Sequence, residues 1–121
     1  MRYSNNGMPV VFVIATDWKL RAAVRAELRE RGIDALGMDS AEDIGRALTG
    51  GAAPAVVVLE ANAELAGDPA IQGLVARVPT VLVASRTETV ALRVAAVFYR
   101  PVRIGEIVEK VKEILERGAA A

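Results

Sequence analysis

The chain has 121 residues, 15 basic and 15 acidic side chains, neither histidine nor cysteine, and a 53% apolar content of which only 4% of the chain is aromatic. A domain of ~100 to 150 residues accommodates that length, and a core of Val, Leu, Ile and Ala is the composition of parallel strands buried between helices. Disulfides, thiolate metal sites, cysteine nucleophiles and histidine proton shuttles are excluded, and the balanced charge gives no long-range field toward nucleic acid or an anionic membrane.

The elements follow in order. Pro9 to Ile14 is a continuous Val-rich run, the pattern of a strand buried on both faces. Polar Ser4-Asn5-Asn6 precedes it where a signal peptide would carry basic residues. No run reaches the ~18 apolar residues of a membrane span, so a soluble, cytoplasmic protein is expected. Asp17 caps a predicted helix from Trp18 to about Arg31, with Leu20, Val24 and Leu28 on one face and Gly32 as its stop.

Ile33 to Met38 reads as a weaker strand, interrupted by Asp34 and Gly37 and suited to a sheet edge. Ser40 with Asp43 imitates a capping box ahead of a second helix bearing Ile44 and Leu48 and ending at Gly50-Gly51. Pro54 to Glu60, PAVVVLE, is a buried-type third strand ending in a carboxylate. A polar loop from Asn62 to Asp68 then leads to a short helix carrying Ile71, Leu74 and Val75.

Pro79 introduces a fourth strand, Thr80 to Val83. Thr87 to Arg93 has room for at most two helical turns before the apolar run Val94 to Tyr99. The last helix, from about Ile104 to Arg117, keeps a 3.6-residue period through Ile107, Val108, Val111, Ile114 and Leu115 and is expected to stop at Gly118, with a frayed alanine tail. Five strands alternating with five helices predict an α/β fold: one domain over 1–121, ordered from about 9 to 117, with a doubly wound five-stranded parallel sheet and a shortened fourth helix.

Such a sheet converges its strand ends on one crevice. Here the ends deliver Glu60, then Ala84-Ser85, then Arg100-Pro101. With VIATDWKLRAAVRAEL after the first strand, VPTVLVAS at the fourth and FYRPVRIGEIVEKVKEIL at the end, the chain from Val10 to Leu115 resembles the receiver domain of two-component response regulators, the CheY-like variety of the flavodoxin-like fold. That resemblance implies a site for aspartyl phosphorylation: acids after the first strand hold Mg²⁺, an aspartate after the third accepts the phosphoryl group, and a hydroxyl and a lysine take up its charge.

Carried over residue by residue, the acidic pair falls on Ala15 and Thr16, with Asp17 one place beyond and better placed as a helix cap than as a metal ligand. The phosphoacceptor position is Glu60, one methylene longer than aspartate, which either imitates the phosphorylated state in part or is a solvated strand end. The switch hydroxyl falls on Ala84 with Ser85 next to it, and the aromatic that answers it falls on Val97. The lysine becomes Arg100, followed by Pro101, and its planar fork predicts an ion pair with Glu60. Phe98 and Tyr99 are expected to pack in the core and crevice rather than act as a gate, while Trp18, Val102 and Ile104 are candidates for exposed apolar contacts, core packing being the plainer alternative.

The expectation is a single-domain pseudo-receiver without a Mg²⁺ site or other cofactor, acting in phosphorelay-type signalling by phosphorylation-independent protein-protein interaction. Its partner would be a signalling protein such as a histidine kinase or a chemotaxis component, with a homodimer possible. Two alternatives stand: a receiver phosphorylated at a displaced acceptor such as Asp17 or Ser85, and a small-ligand or nucleotide-binding module. The turn ATDW lacks the GxGxxG of dinucleotide binders, and few residues remain for independent enzymatic chemistry.

Overall fold

A computed structural model describes residues 9–86 and 92–120, the side chains of 119 and 120 excepted. The strands are β1 (Val10–Ile14), β2 (Asp34–Met38), β3 (Pro54–Glu60), β4 (Thr80–Ala84) and β5 (Ala96–Tyr99). The helices are α1 (Trp18–Glu30), α2 (Ala41–Thr49), α3 (Ala63–Ala66), α4 (Pro69–Arg77) and α5 (Ile104–Ala120). All strand pairings are parallel, in the order β2-β1-β3-β4-β5. The chain therefore moves outward from β1 to β2, then crosses back to β3 and continues to β5, which makes β1/β3 the point where the winding reverses.

The alternation of side chains along the strands divides the core in two. Phe12 and Ile14 of β1, Val57 and Leu59 of β3 and Leu82 of β4 point to one face, where Ile44, Leu65, Ile71, Leu74 and Val75 of α2, α3 and α4 cover them. Val11, Val13, Val56, Val58, Val81 and Val83 point to the other face, covered by Leu20, Val24 and Leu28 of α1 and by Ile107, Val108 and Val111 of α5. Every β1 residue is buried. The five-stranded doubly wound sheet expected from the alternation is thus present, with β2 at an edge as its two interruptions suggested.

Local rules account for the element ends. Asp17 Oδ1 accepts from the amides of Lys19 and Leu20 at 3.0 and 3.2 Å, and Ser40 Oγ accepts from Asp43 N at 3.2 Å. At the other end of α1, Gly32 at φ +74° lets its own amide reach Arg29 O and the amide of Ile33 reach Leu28 O, both at 3.0 Å, the paired closure of a Schellman turn.

Three expectations need correction. The Asn62–Asp68 loop contains the single turn α3, because Asn62 Oδ1 accepts from Leu65 N at 2.8 Å and Leu65 is buried. Helix α5 runs through Gly118 to Ala120; a glycine costs about 1 kcal/mol against alanine, and the alanines beyond it favour continuing the turn. Tyr99 is not packed away: it is 47% exposed, with the Arg86 guanidinium 5.6 Å above its ring. The fourth helix predicted over Thr87–Arg93 falls mainly on 87–91, outside the described residues, while Leu92 and Val94 pack against the core beneath α2 and α4.

Candidate functional site

At the carboxyl ends of β1 and β3, where the winding reverses, four side chains from three distant segments meet. Val13 and Ile14 lie in register with Val58 and Leu59, so the residues just beyond, Thr16 and Glu60, are brought side by side. Glu60 Oε1 accepts from Thr16 N at 2.7 Å, Thr16 Oγ1 at 2.9 Å and Asp17 N at 3.1 Å. Its second oxygen, Oε2, accepts from Arg100 Nη2 at 3.1 Å. The predicted ion pair across the crevice is therefore formed, and the Glu60 side chain, 13% exposed, is the least accessible member of the cluster.

Arg100 also faces Asp17, Nη2 to Oδ2 at 3.5 Å, so one guanidinium nitrogen lies between two carboxylates. Asp17 divides its oxygens: Oδ1 caps α1 and Oδ2 faces Arg100. The amide of Leu20 above all holds the Asp17 carboxyl below its ordinary value of 3.8; partial burial opposes this, and the Lys19 amide and Arg100 add to it. Asn62 Nδ2 donates to Thr16 Oγ1 at 3.4 Å and completes the rim.

Arg100 itself is fixed by the backbone. Its amide donates to Ala84 O at 2.8 Å, and a cis peptide bond joins it to Pro101. Of the positions singled out from the sequence, Thr16, Asp17, Glu60 and Arg100 form the cluster. Ala15 is buried behind it, with its carbonyl accepting from Arg21 Nη1 at 2.6 Å. Ala84 is buried and reaches Arg100 through its carbonyl, Ser85 is half-buried, Val97 is exposed on β5 and Pro101 is exposed. Trp18 stands 63% exposed beside Asp17, whereas Val102 and Ile104 pack against the α1/α5 core.

The sequence places Thr16 at the site only as the position of a lost acid and gives no sign of Asn62; the Thr16 amide and hydroxyl are the nearest donors to Glu60. The signal was available in Thr16-Asp17: an N-cap leaves the amides around it free to point at an anion. Asn62 was read as a loop residue, and nothing in its spacing tied it to position 16.

No protein-family model matches the chain, and no curated protein sequence matches it. Solved structures do. A response regulator receiver protein from Burkholderia phymatum superposes with a TM-score of 0.73 at 21% identity over 89% of this chain and 95% of that one. The signal receiver domain of an HD domain-containing protein from Pseudomonas fluorescens Pf-5 gives 0.77 at 10% identity, covering 94% and 99%. A chemotaxis response regulator of Vibrio cholerae gives 0.66 at 12%, covering 88% and 98%. At these identities the likeness is one of fold: the five-stranded parallel sheet is the flavodoxin-like, CheY-like architecture of receiver domains.

Proposed function

We propose that this chain is a receiver-like signalling domain of the two-component type that acts by binding a partner protein without being phosphorylated. The observation carrying this reading is the state of Glu60. A phosphoacceptor carboxylate needs an oxygen free to attack and a metal to neutralise charge. Here Oε1 meets three hydrogen-bond donors and Oε2 a guanidinium.

Mg²⁺ does not fit this set of groups. It requires oxygen ligands at about 2.0–2.1 Å in near-octahedral order, whereas the N–H and O–H donors on Oε1 direct hydrogens toward the space such an ion would need. Arg100 already supplies a cation to both carboxylates. We read Glu60, Arg100 and Asp17 as a built-in substitute for the charge that phosphorylation would otherwise bring, holding the crevice near one conformation. A signalling protein, such as a kinase or a chemotaxis component, would then recognise a fixed surface around the exposed Trp18 and the Arg100-Pro101 loop.

The test is incubation with acetyl phosphate, or with beryllofluoride, in the presence of Mg²⁺, read by intact mass and by amide NMR shifts. No adduct and no global change in shifts are expected. A stable adduct of phosphoryl mass on any residue, Asp17 and Ser85 included, overturns the proposal in favour of a phosphorylated switch.

A further inference from the structure

Helix α1 carries Arg21, Arg25 and Arg29 at intervals of four residues, so the three lie on one ridge of the helix. At a rise of 1.5 Å per residue the side chains start about 6 Å apart and the ridge is about 12 Å long. Its base is the edge strand. A Cβ added at Gly37 of β2 would stand 2.8 Å from Arg25 Cδ and 3.1 Å from Arg21 Cδ and Cγ. The aliphatic stems of two arginines thus lie across the bare backbone of Gly37, filling the place of a strand side chain.

The stems are packed, but the charges are not matched. Arg31, Arg46, Arg100 and Arg117 each meet a carboxylate. Among the described residues Arg21 meets only the carbonyl of Ala15. Arg25 Nε is buried with no acceptor, and among the described residues neither Arg25 nor Arg29 has a hydrogen bond or an ion pair. Burial, with repulsion from Arg29 and Arg21, lowers the Arg25 guanidinium from its ordinary value. An uncompensated, partly buried cation is a cost to the folded chain, and an anion brought by another molecule removes it.

We propose that this ridge docks an acidic helix of a partner protein. Carboxylates at every fourth residue of a helix repeat at about 6 Å, the spacing of the arginines. Separate carboxylates suit the surroundings better than a nucleic acid backbone, because Asp34 and Asp39 stand at the two ends of β2, the strand across which the ridge lies. A continuous run of phosphates would meet those acids as well. The formal net charge of +0 supplies no wider field to compensate.

The probe is a labelled, alanine-rich helical peptide with glutamate at every fourth position, titrated by fluorescence anisotropy and by NMR of the arginine Nε–Hε signals. Its controls are a peptide of the same composition with the glutamates scrambled, a duplex oligonucleotide and inorganic phosphate. The helical peptide is expected to bind about tenfold more tightly than the scrambled one, with Arg25 and Arg29 signals moving and the affinity falling as salt rises. Arg29→Glu is expected to weaken binding by at least about tenfold; Arg29 is exposed, so this variant tests the ridge even where Arg25→Gln does not fold. Equal binding of the scrambled peptide, preference for the oligonucleotide, a response to phosphate alone, or an unchanged affinity of Arg29→Glu overturns the proposal. None of these outcomes bears on the Glu60 crevice, whose own test is the phosphorylation experiment.

Discussion

Along β1 and β3, Phe12, Ile14, Val57 and Leu59 are surrounded by other apolar side chains; one step beyond the same strands, Thr16, Asp17, Glu60 and Arg100 each depend on a few named partners. The interior is redundant, since an apolar neighbour is supplied from several elements at once. The rim is specific, since each oxygen has particular donors and no second set replaces them. A substitution in the interior is therefore felt mostly as lost stability, while one at the rim is felt mostly as lost shape, and variants at the two places sharpen or break that contrast.

The largest effect is expected from Phe12→Ala, which removes a fully buried ring between two layers. A cost of about 3–5 kcal/mol in urea unfolding at neutral pH is expected, with little change in the NMR signals of the Arg100 loop until the chain unfolds. Glu60→Ala comes next, at about 1.5–3 kcal/mol, because it strands the Thr16 and Asp17 amides and the Arg100 guanidinium. Unlike the core variant, it is expected to shift the Arg100, Thr16 and Asn62 signals strongly at full folding. If the crevice signals stay in place, the rim does not rest on this carboxylate.

The smallest effect concerns Asp17. Asp17→Ala is expected to cost about 1 kcal/mol through the lost cap of α1, whereas Asp17→Asn keeps an acceptor for the cap and removes only the charge. Because the folded chain holds this carboxyl below 3.8, its contribution is fully present above that value and is lost as the pH falls through the lower folded value. The stability gap between the native chain and Asp17→Asn is therefore expected to be constant from neutral pH down to about 4 and to close below it. A gap that widens on acidification contradicts the assignment.

Most of the fold was legible because it follows from periodicities that need no long-range knowledge. The Val runs of β1 and β3, the four-residue repeat Leu20, Val24, Leu28, and the caps Asp17 and Ser40 fix their elements locally. Errors arose where local signals are balanced. Asn62 is both a good loop residue and a good cap, and burial of Leu65 decides for a helical turn. Tyr99 continues an apolar strand in sequence, yet β5 is the last strand of the sheet and alternate residues on it, Val97 and Tyr99, face outward.

The site was half legible. Glu60 and Arg100 were found because a strand end and an Arg-Pro junction mark them, and opposite charge suggests that they meet. Thr16 is found at the site only as the position of a lost acid; that its amide and hydroxyl both donate to Glu60 depends on the register of β1 with β3, which the residue's identity does not reveal.

Two of the three donors to Glu60 Oε1 are peptide amides, those of residues 16 and 17. Almost any amino acid at those positions presents the same N–H, and only proline abolishes it. Alanine scanning will accordingly understate this half of the crevice: at position 16 it removes the hydroxyl and leaves the amide in place.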